Sequence, residues 1–311
     1  MFDVAIIGAG ISGCAIAYKL SKFKLKIALL DKENDVCMGA TRANSAIIHA
    51  GFDPEPGTLT AKLNSLGNPQ CKEICKKLDV EYREIGSLVT SFSDEETKVL
   101  KKLLKNAEQN GIPGVEILSG EKAREKEPNL SNDIKAALWA PSAAITNPWQ
   151  FGLAMAEVAV QNGTKVFLGF EVNSIEKKSE SFCIKSKRGE INARFVINAS
   201  GAYADKVSSL VCEPDYKIIP TAGEYYLLDK SEGKTVSSVI FPCPSAKGKG
   251  VLIAPTVHGN LIVGPNACVT DSPDATQSTA PILPMIDGIV MITSISVHPP
   301  LIFSIYSSRP T

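Results

Sequence analysis

The sequence has no excess of charge of either sign. Thirty-three basic residues balance thirty-three acidic ones, so no overall field attracts nucleic acid or an anionic membrane. Long apolar runs are also missing. The best candidate, residues 282–297, carries Asp287 and is followed by Pro299 and Pro300, short of the ~20 residues that a membrane-spanning helix needs. No basic segment precedes the first apolar stretch, so a signal peptide is not predicted. We expect no nucleic-acid partner and no membrane association.

Closely spaced cysteine pairs are nearly absent. Of eight cysteines, only Cys71 and Cys75 lie near each other, four residues apart in a predicted helix. Zinc and iron–sulfur sites need several thiolates at short spacings, usually with C-x-x-C pairs. We therefore expect no metal site and unpaired thiols that pack as small hydrophobic residues. This cysteine usage also favours a reducing, cytoplasmic location.

What the sequence does contain is a predicted βαβ unit at its start. Residues 2–7 form an apolar run bounded by glycine, and residues 11–23 follow with helical spacing. Residues 26–30 form a second apolar run that ends at Asp31. Strand, glycine turn, helix and strand within about thirty residues are typical of a βαβ unit with buried parallel strands.

A glycine motif joins the first strand to the helix. Gly8 permits the tight turn, Gly10 lets a pyrophosphate approach the backbone, and Gly13 allows close packing of helix and strand. The free amides at the helix start favour an anion, and Asp31 stands where a carboxylate accepts hydrogen bonds from ribose hydroxyls. The predicted dinucleotide-binding residues of this unit are Gly8, Gly10, Ile11, Ser12, Gly13, Asp31 and Lys32.

A second glycine motif favours FAD over NAD, although an NAD-binding module remains an alternative. Residues 195–205 run from an apolar strand into a turn of small residues and then a helix. Small residues at such a turn let the backbone lie against a bulky cofactor. The candidates here are Ala199, Ser200, Gly201 and Asp205.

Four segments together resemble the D-amino-acid-oxidase-like family of FAD-dependent oxidoreductases, in its glycerol-3-phosphate dehydrogenase and L-2-hydroxyglutarate dehydrogenase branch. They are residues 8–13 with Asp31, residues 39–53, residues 196–205 and residues 248–267. The first is shared by many flavoproteins, whereas the other three in this order are specific. The resemblance covers residues 1 to about 270.

The resemblance implies roles for the loop 39–51, which runs beneath the flavin in this family. Contacts to the pyrophosphate and ribityl chain are implied for Thr41, Arg42 and Asn44, and an approach to the isoalloxazine for Ser45 and His49. Relatives usually have glycine where Ala46 stands. His49 is the first candidate for the catalytic base and His258, in a predicted hairpin turn, is the second.

The predicted fold class is α/β, with a Rossmann-type FAD-binding domain and an interleaved α+β substrate domain built on an antiparallel sheet. The FAD-binding domain takes residues 1–62 and 147–212, and the substrate domain takes residues 63–146 and 213–271. Residues 272–311 form an atypical apolar tail with only three charged residues, Asp274, Asp287 and Arg309. This loss of charge, with none of the family's later elements recognisable, suggests a frameshifted or truncated gene product.

The implied function is FAD-dependent dehydrogenation of a small hydroxy compound, glycerol 3-phosphate or a 2-hydroxy acid such as L-2-hydroxyglutarate, with an electron acceptor that the sequence does not identify. Amine or amino-acid oxidation on the same scaffold is one alternative, and an inactive FAD-binding remnant is another. An anionic substrate needs a fixed cation, for which Lys247, Lys249 and Arg83 are candidates.

Overall fold

The computed structural model describes residues 1–244 and 250–275, and the backbone of residues 301–310. Within these residues the chain is a mixed α/β protein with three sheets and six α-helices. None of the described helices is long and apolar enough to cross a membrane. The helices are α1 (Ile11–Leu20), α2 (Leu59–Lys77), α3 (Asp94–Gln109), α4 (Gly120–Lys126), α5 (Pro148–Gln161) and α6 (Ala204–Ser208).

The first sheet confirms the predicted βαβ unit. Its strands are β1 (Phe2–Ile7), β2 (Ile27–Leu30), β9 (Lys165–Phe167), β10 (Ser174–Lys177), β11 (Phe182–Ser186) and β12 (Gly189–Asn198). They lie in the order β10-β11-β12-β1-β2-β9, and β12, β1, β2 and β9 are parallel. The carboxyl ends of β1, β2 and β12 therefore lie side by side. One glycine motif follows β1 and the other follows β12.

The second sheet is antiparallel except where β14 pairs in parallel with β5. Its order is β17-β13-β16-β15-β14-β5-β7-β6. The strands are β5 (Ser87–Ser91), β6 (Glu116–Ser119), β7 (Ala136–Ala140), β13 (Ile218–Leu228), β14 (Val239–Pro242), β15 (Leu252–Pro255), β16 (Leu261–Gly264) and β17 (Cys268–Val269). A small third sheet contains β3 (Ile47–Ile48), β4 (Tyr82–Glu84) and β8 (Ala144–Thr146) in the order β3-β8-β4.

Helix boundaries follow the capping residues in the sequence. Helix α3 starts after Ser93, whose hydroxyl accepts the amide of Glu96 at 3.1 Å, as is typical of a serine at the N-cap. Helix α5 starts after Asn147, whose side chain accepts the amide of Gln150 at 3.0 Å. Helix α1 ends at Leu20, three residues before the predicted Phe23, since residues 21–24 turn back towards β2.

The carboxyl-terminal part of the chain adds a strand to the second sheet, although none of the family's later elements was recognisable there in the sequence. Strand β18 (Leu301–Pro310) pairs antiparallel with β13 along residues 218–227. Its two isoleucines, one phenylalanine and one tyrosine favour a strand, although the low charge of residues 272–311 had suggested a frameshifted or truncated gene product. The candidate substrate cations Lys247 and Lys249, and the apolar run 282–297, lie outside the described residues.

Candidate functional site

The glycine turn after β1 is shaped by close backbone contacts. Gly8 has φ +101°, and a Cβ there would overlap the carbonyl of Ala199, so this turn packs directly on the second glycine motif. A Cβ on Gly13 would overlap the carbonyl of Gly8, as expected for close packing of α1 on the turn. Helix α1 begins at Ile11 after Gly10, which has no side chain to cap the first amides.

Asp31 lies at the end of β2, next to the glycine turn. One carboxylate oxygen accepts the amide of Ala9 at 2.6 Å, and the other accepts the amide of Glu33 at 2.9 Å. Hydrogen bonds from backbone amides to a carboxylate are strong, and they fix the turn relative to the second strand. Each carboxylate oxygen has a further lone pair, so Asp31 can still accept a hydroxyl.

The loop 39–51 reaches the start of α1 through Thr41. Its hydroxyl accepts the amide of Ile11 at 2.9 Å, and a Cβ on Gly10 would lie 3.3 Å from the same oxygen. A polar cradle that a Cβ would narrow, at a helix start whose N-cap residue Gly10 has no side chain, fits a pyrophosphate. The residues present therefore fit a dinucleotide diphosphate.

The second glycine motif is held by Asn198 at the end of β12. Its side-chain oxygen accepts the amide of Ser200 at 3.2 Å, and its side-chain nitrogen donates to the carbonyl of Ala204 at 2.7 Å. Gly201 has φ +57°, which glycine adopts readily. Asp205 accepts the amide of Ile218 at 3.0 Å and so ties this motif to the beginning of β13.

Asn44 shapes the loop 39–51 from within. Its nitrogen donates to the carbonyls of Ala40 and Thr41, at 3.0 and 2.9 Å, and its oxygen accepts the amide of Ala46 at 2.8 Å. The family resemblance implied only a contact with the cofactor for Asn44, so this structural role is an addition. Arg42 is exposed, with its guanidinium 3.9 Å from the sulfur of Met38.

Ala46 has a left-handed backbone conformation, at a position where relatives usually have glycine. Its φ is +61°, a left-handed conformation that costs an L-residue ~1–2 kcal/mol. Ala46→Gly is therefore expected to raise the free energy of unfolding by ~1 kcal/mol, measured by urea denaturation. Ala43 lies in the same loop but is not among the residues with a positive φ. Ala43→Gly should therefore lower the free energy of unfolding. A loss of stability in Ala46→Gly would contradict this account.

The two candidate histidines lie in different surroundings. The ring of His49, at the end of the loop, stacks on Phe241 of β14, with centroids 5.9 Å apart. His258 lies in the hairpin turn between β15 and β16, and its Nε2 is 3.0 Å from the side-chain nitrogen of Asn147, the residue that caps α5. His49 is exposed and its ring contacts a strand of the second sheet, whereas His258 contacts a helix cap.

Arg83, a candidate cation for the substrate, already has partners. Its guanidinium donates to the carboxylate of Glu81 and, at 2.6 Å, to the carbonyl of Val257. It therefore ties β4 to the β15–β16 turn. An interaction of Arg83 with substrate would have to compete with these bonds.

Lys32 belongs to a cluster that the sequence did not reveal. Its ammonium lies 4.0 Å from the ring centroid of Tyr203 and 3.4 Å from the carboxylate of Asp274. The hydroxyl of Tyr203 donates to the same carboxylate. Burial lowers the pKa of Lys32, but the hydrogen bonds and charges of Tyr203 and Asp274 outweigh it, so the net pKa is raised. Asp274 is far away in sequence, which explains why no local pattern predicted it.

A parallel sheet with glycine motifs at the carboxyl ends of β1 and β12, in a chain that also has a largely antiparallel second sheet, is typical of dinucleotide-binding proteins. The family model for FAD-dependent oxidoreductases matches residues 3–289. The chain belongs to this family, which confirms the predicted cofactor. The match also extends past residue 270, beyond the limit given by the sequence motifs.

Individual relatives point to one branch of the family. A glycerol 3-phosphate dehydrogenase of Caloramator mitchellensis is 52% identical over 267 residues, covering 86% of this chain and 56% of that protein. Human mitochondrial L-2-hydroxyglutarate dehydrogenase is 33% identical over 283 residues, covering 86% of this chain and 61% of that protein. The chain thus spans less than two thirds of either relative.

A solved structure is similar over nearly the whole chain. The dithionite-reduced L-α-glycerophosphate oxidase of Mycoplasma pneumoniae, with FAD bound, superposes with a TM-score of 0.91 at 29% identity. The superposition covers 99% of this chain and 83% of that one. The described fold is therefore that of a glycerophosphate-oxidase-like flavoprotein.

Proposed function

We propose that this chain uses FAD to dehydrogenate a small hydroxy compound, with glycerol 3-phosphate as the first candidate and L-2-hydroxyglutarate as the second. The observation that carries the proposal is the position of His49, which lies at the end of the loop whose Thr41 contacts the start of α1 and stacks on Phe241 of the second sheet. The 52% identity to a glycerol 3-phosphate dehydrogenase supports the first candidate.

The proposed roles of the binding residues follow from their contacts. The amides at the start of α1 hold the pyrophosphate, with Thr41 and Gly10 forming its cradle. Asp31 accepts hydrogen bonds from the ribose hydroxyls while it fixes the glycine turn. Lys32 lies next to Asp31, after the carboxyl end of β2. The small residues of the second glycine motif let the backbone lie close to the cofactor. They are Ala199, Ser200 and Gly201.

The proposed chemistry needs one base and one fixed cation. Bound FAD supplies a hydride acceptor at flavin N5. His49 takes the proton from the substrate hydroxyl, and its stacking on Phe241 restricts the orientation of the imidazole. A phosphate or carboxylate on the substrate requires a cation, and we propose Lys247 and Lys249 for this role. We also propose a cytoplasmic location.

An anaerobic absorbance experiment tests the proposal. The purified protein, loaded with FAD, is expected to show a flavin spectrum that bleaches when glycerol 3-phosphate is added, with L-2-hydroxyglutarate and glycine as comparison substrates. His49→Gln should keep the flavin but slow bleaching by about 100-fold or more, as expected for loss of a general base.

Each other outcome of this experiment contradicts the proposal in a different way. Protein that stays colourless with excess FAD indicates an inactive remnant, and protein that binds NADH without a flavin spectrum indicates an NAD-binding module. Bleaching by glycine alone indicates an amine oxidase. A His49→Gln variant that bleaches at the wild-type rate removes His49 from the mechanism.

A further inference from the structure

Two neighbouring tyrosines on β13, Tyr225 and Tyr226, differ sharply in their surroundings. Both are buried, at 4% and 1% exposure, and successive residues of a strand point to opposite faces of the sheet. Tyr226 packs in the cluster around Leu88 and Ile240, and among the described residues its hydroxyl has no hydrogen-bond partner. Tyr225 instead packs in a cluster with Ile145 and Val257.

Tyr225 is the point where β13 contacts the loop 39–51. Ala43 and Ile47 of the same loop pack against its cluster. Burial raises the pKa of Tyr225, and a side-chain hydrogen bond with Ser45, which lies between those two residues in sequence, lowers it. The loop residues on both sides of Ser45 therefore contact the apolar surroundings of Tyr225, while Ser45 itself receives the polar contact.

The position of the Tyr225 ring is fixed from its other side. A Cβ on Gly264 would lie 2.8 Å from the Tyr225 ring, so the ring lies directly against this glycine. The preceding residue, Glu224, is bonded to Asn266 through its amide at 2.7 Å and its carboxylate at 2.6 Å. With backbone and ring both held, the phenol is preorganised to contact Ser45.

We propose that Tyr225 is a positioning residue for the cofactor: its phenol holds Ser45 and fixes the loop that carries His49 relative to the bound flavin. This inference rests on the proposed function, because it takes Ser45 and His49 as residues that face the isoalloxazine. Tyr225 acts through Ser45, and no contact of its own with substrate is required.

Tyr225→Phe tests the inference, with Tyr226→Phe as the matched control. Loss of one hydrogen bond should weaken FAD binding by about 3- to 10-fold, measured by fluorescence titration of the apoprotein, and should shift the visible band of the bound flavin. Tyr226→Phe removes an identical hydroxyl that has no partner within the described part of the chain, so it should keep the wild-type FAD affinity and spectrum. Ser45→Ala should resemble Tyr225→Phe, and the double variant should be no worse than either single one.

The outcomes separate this inference from the proposed function. If wild-type protein binds FAD and is bleached by substrate, but Tyr225→Phe has wild-type affinity and spectrum, only the role of Tyr225 is wrong. Additive effects of Ser45→Ala and Tyr225→Phe would also overturn it. If the wild-type protein binds no FAD at all, the proposed function fails first, and the positioning role fails with it.

Discussion

Gly10→Val is expected to lower the affinity for FAD by about 100-fold or more. A Cβ at this position would lie 3.3 Å from the hydroxyl of Thr41, inside the cradle that we assign to the pyrophosphate. The branched side chain would keep the phosphates from the amides at the start of α1, and each hydrogen bond to a charged group contributes ~1.5–3 kcal/mol. The measurement is the visible flavin absorbance of protein purified with excess FAD.

Gly67→Val provides the control for this substitution. Gly67 lies inside α2, and a Cβ there meets no atom within 4 Å. This variant adds the same side chain without crowding the site, so it should retain FAD as wild type does. Full FAD occupancy in Gly10→Val would show that the pyrophosphate lies elsewhere.

Asp31→Ala is expected to weaken FAD binding by roughly 30- to 100-fold and to destabilise the apoprotein by ~2 kcal/mol. The substitution removes the acceptor for the amides of Ala9 and Glu33, which leaves the glycine turn less ordered, and it also removes the proposed acceptor for the ribose. Partly buried amides without an acceptor cost ~1–3 kcal/mol each. Urea denaturation and FAD titration measure the two effects separately.

Asp3→Ala is the matched control for Asp31→Ala. Asp3 also accepts a backbone amide of the βαβ unit, that of Lys26 at 2.8 Å, but at the opposite end of β1 from the glycine turn. Its loss should lower stability without changing the affinity for FAD. Equal FAD affinities in Asp31→Ala and Asp3→Ala would contradict the role of Asp31.

The amino-terminal unit could be predicted because its pattern is local. The apolar run of β1, the glycines and Asp31 all lie within about thirty residues, and strand β1 (Phe2–Ile7) matches the predicted range. The same holds for the hairpin of β15 and β16, whose turn contains His258 as expected.

The contacts between distant segments could not be predicted in this way. Tyr225 and Ser45 meet only because β13 has one particular register and face within the second sheet, and no local pattern distinguishes Tyr225 from Tyr226. The contact between Lys32 and Asp274 likewise depends on tertiary structure. The hydrogen bond from Arg83 to the carbonyl of Val257 also joins distant segments, so it was hidden for the same reason.

A crystal structure with FAD tests the central claim most directly. We predict that the pyrophosphate accepts hydrogen bonds from the amides at the start of α1, with the adenosine ribose on Asp31 and the isoalloxazine beside Ser45 and His49. A cofactor bound elsewhere, with protein side chains filling the space between Gly10 and Thr41, would contradict it.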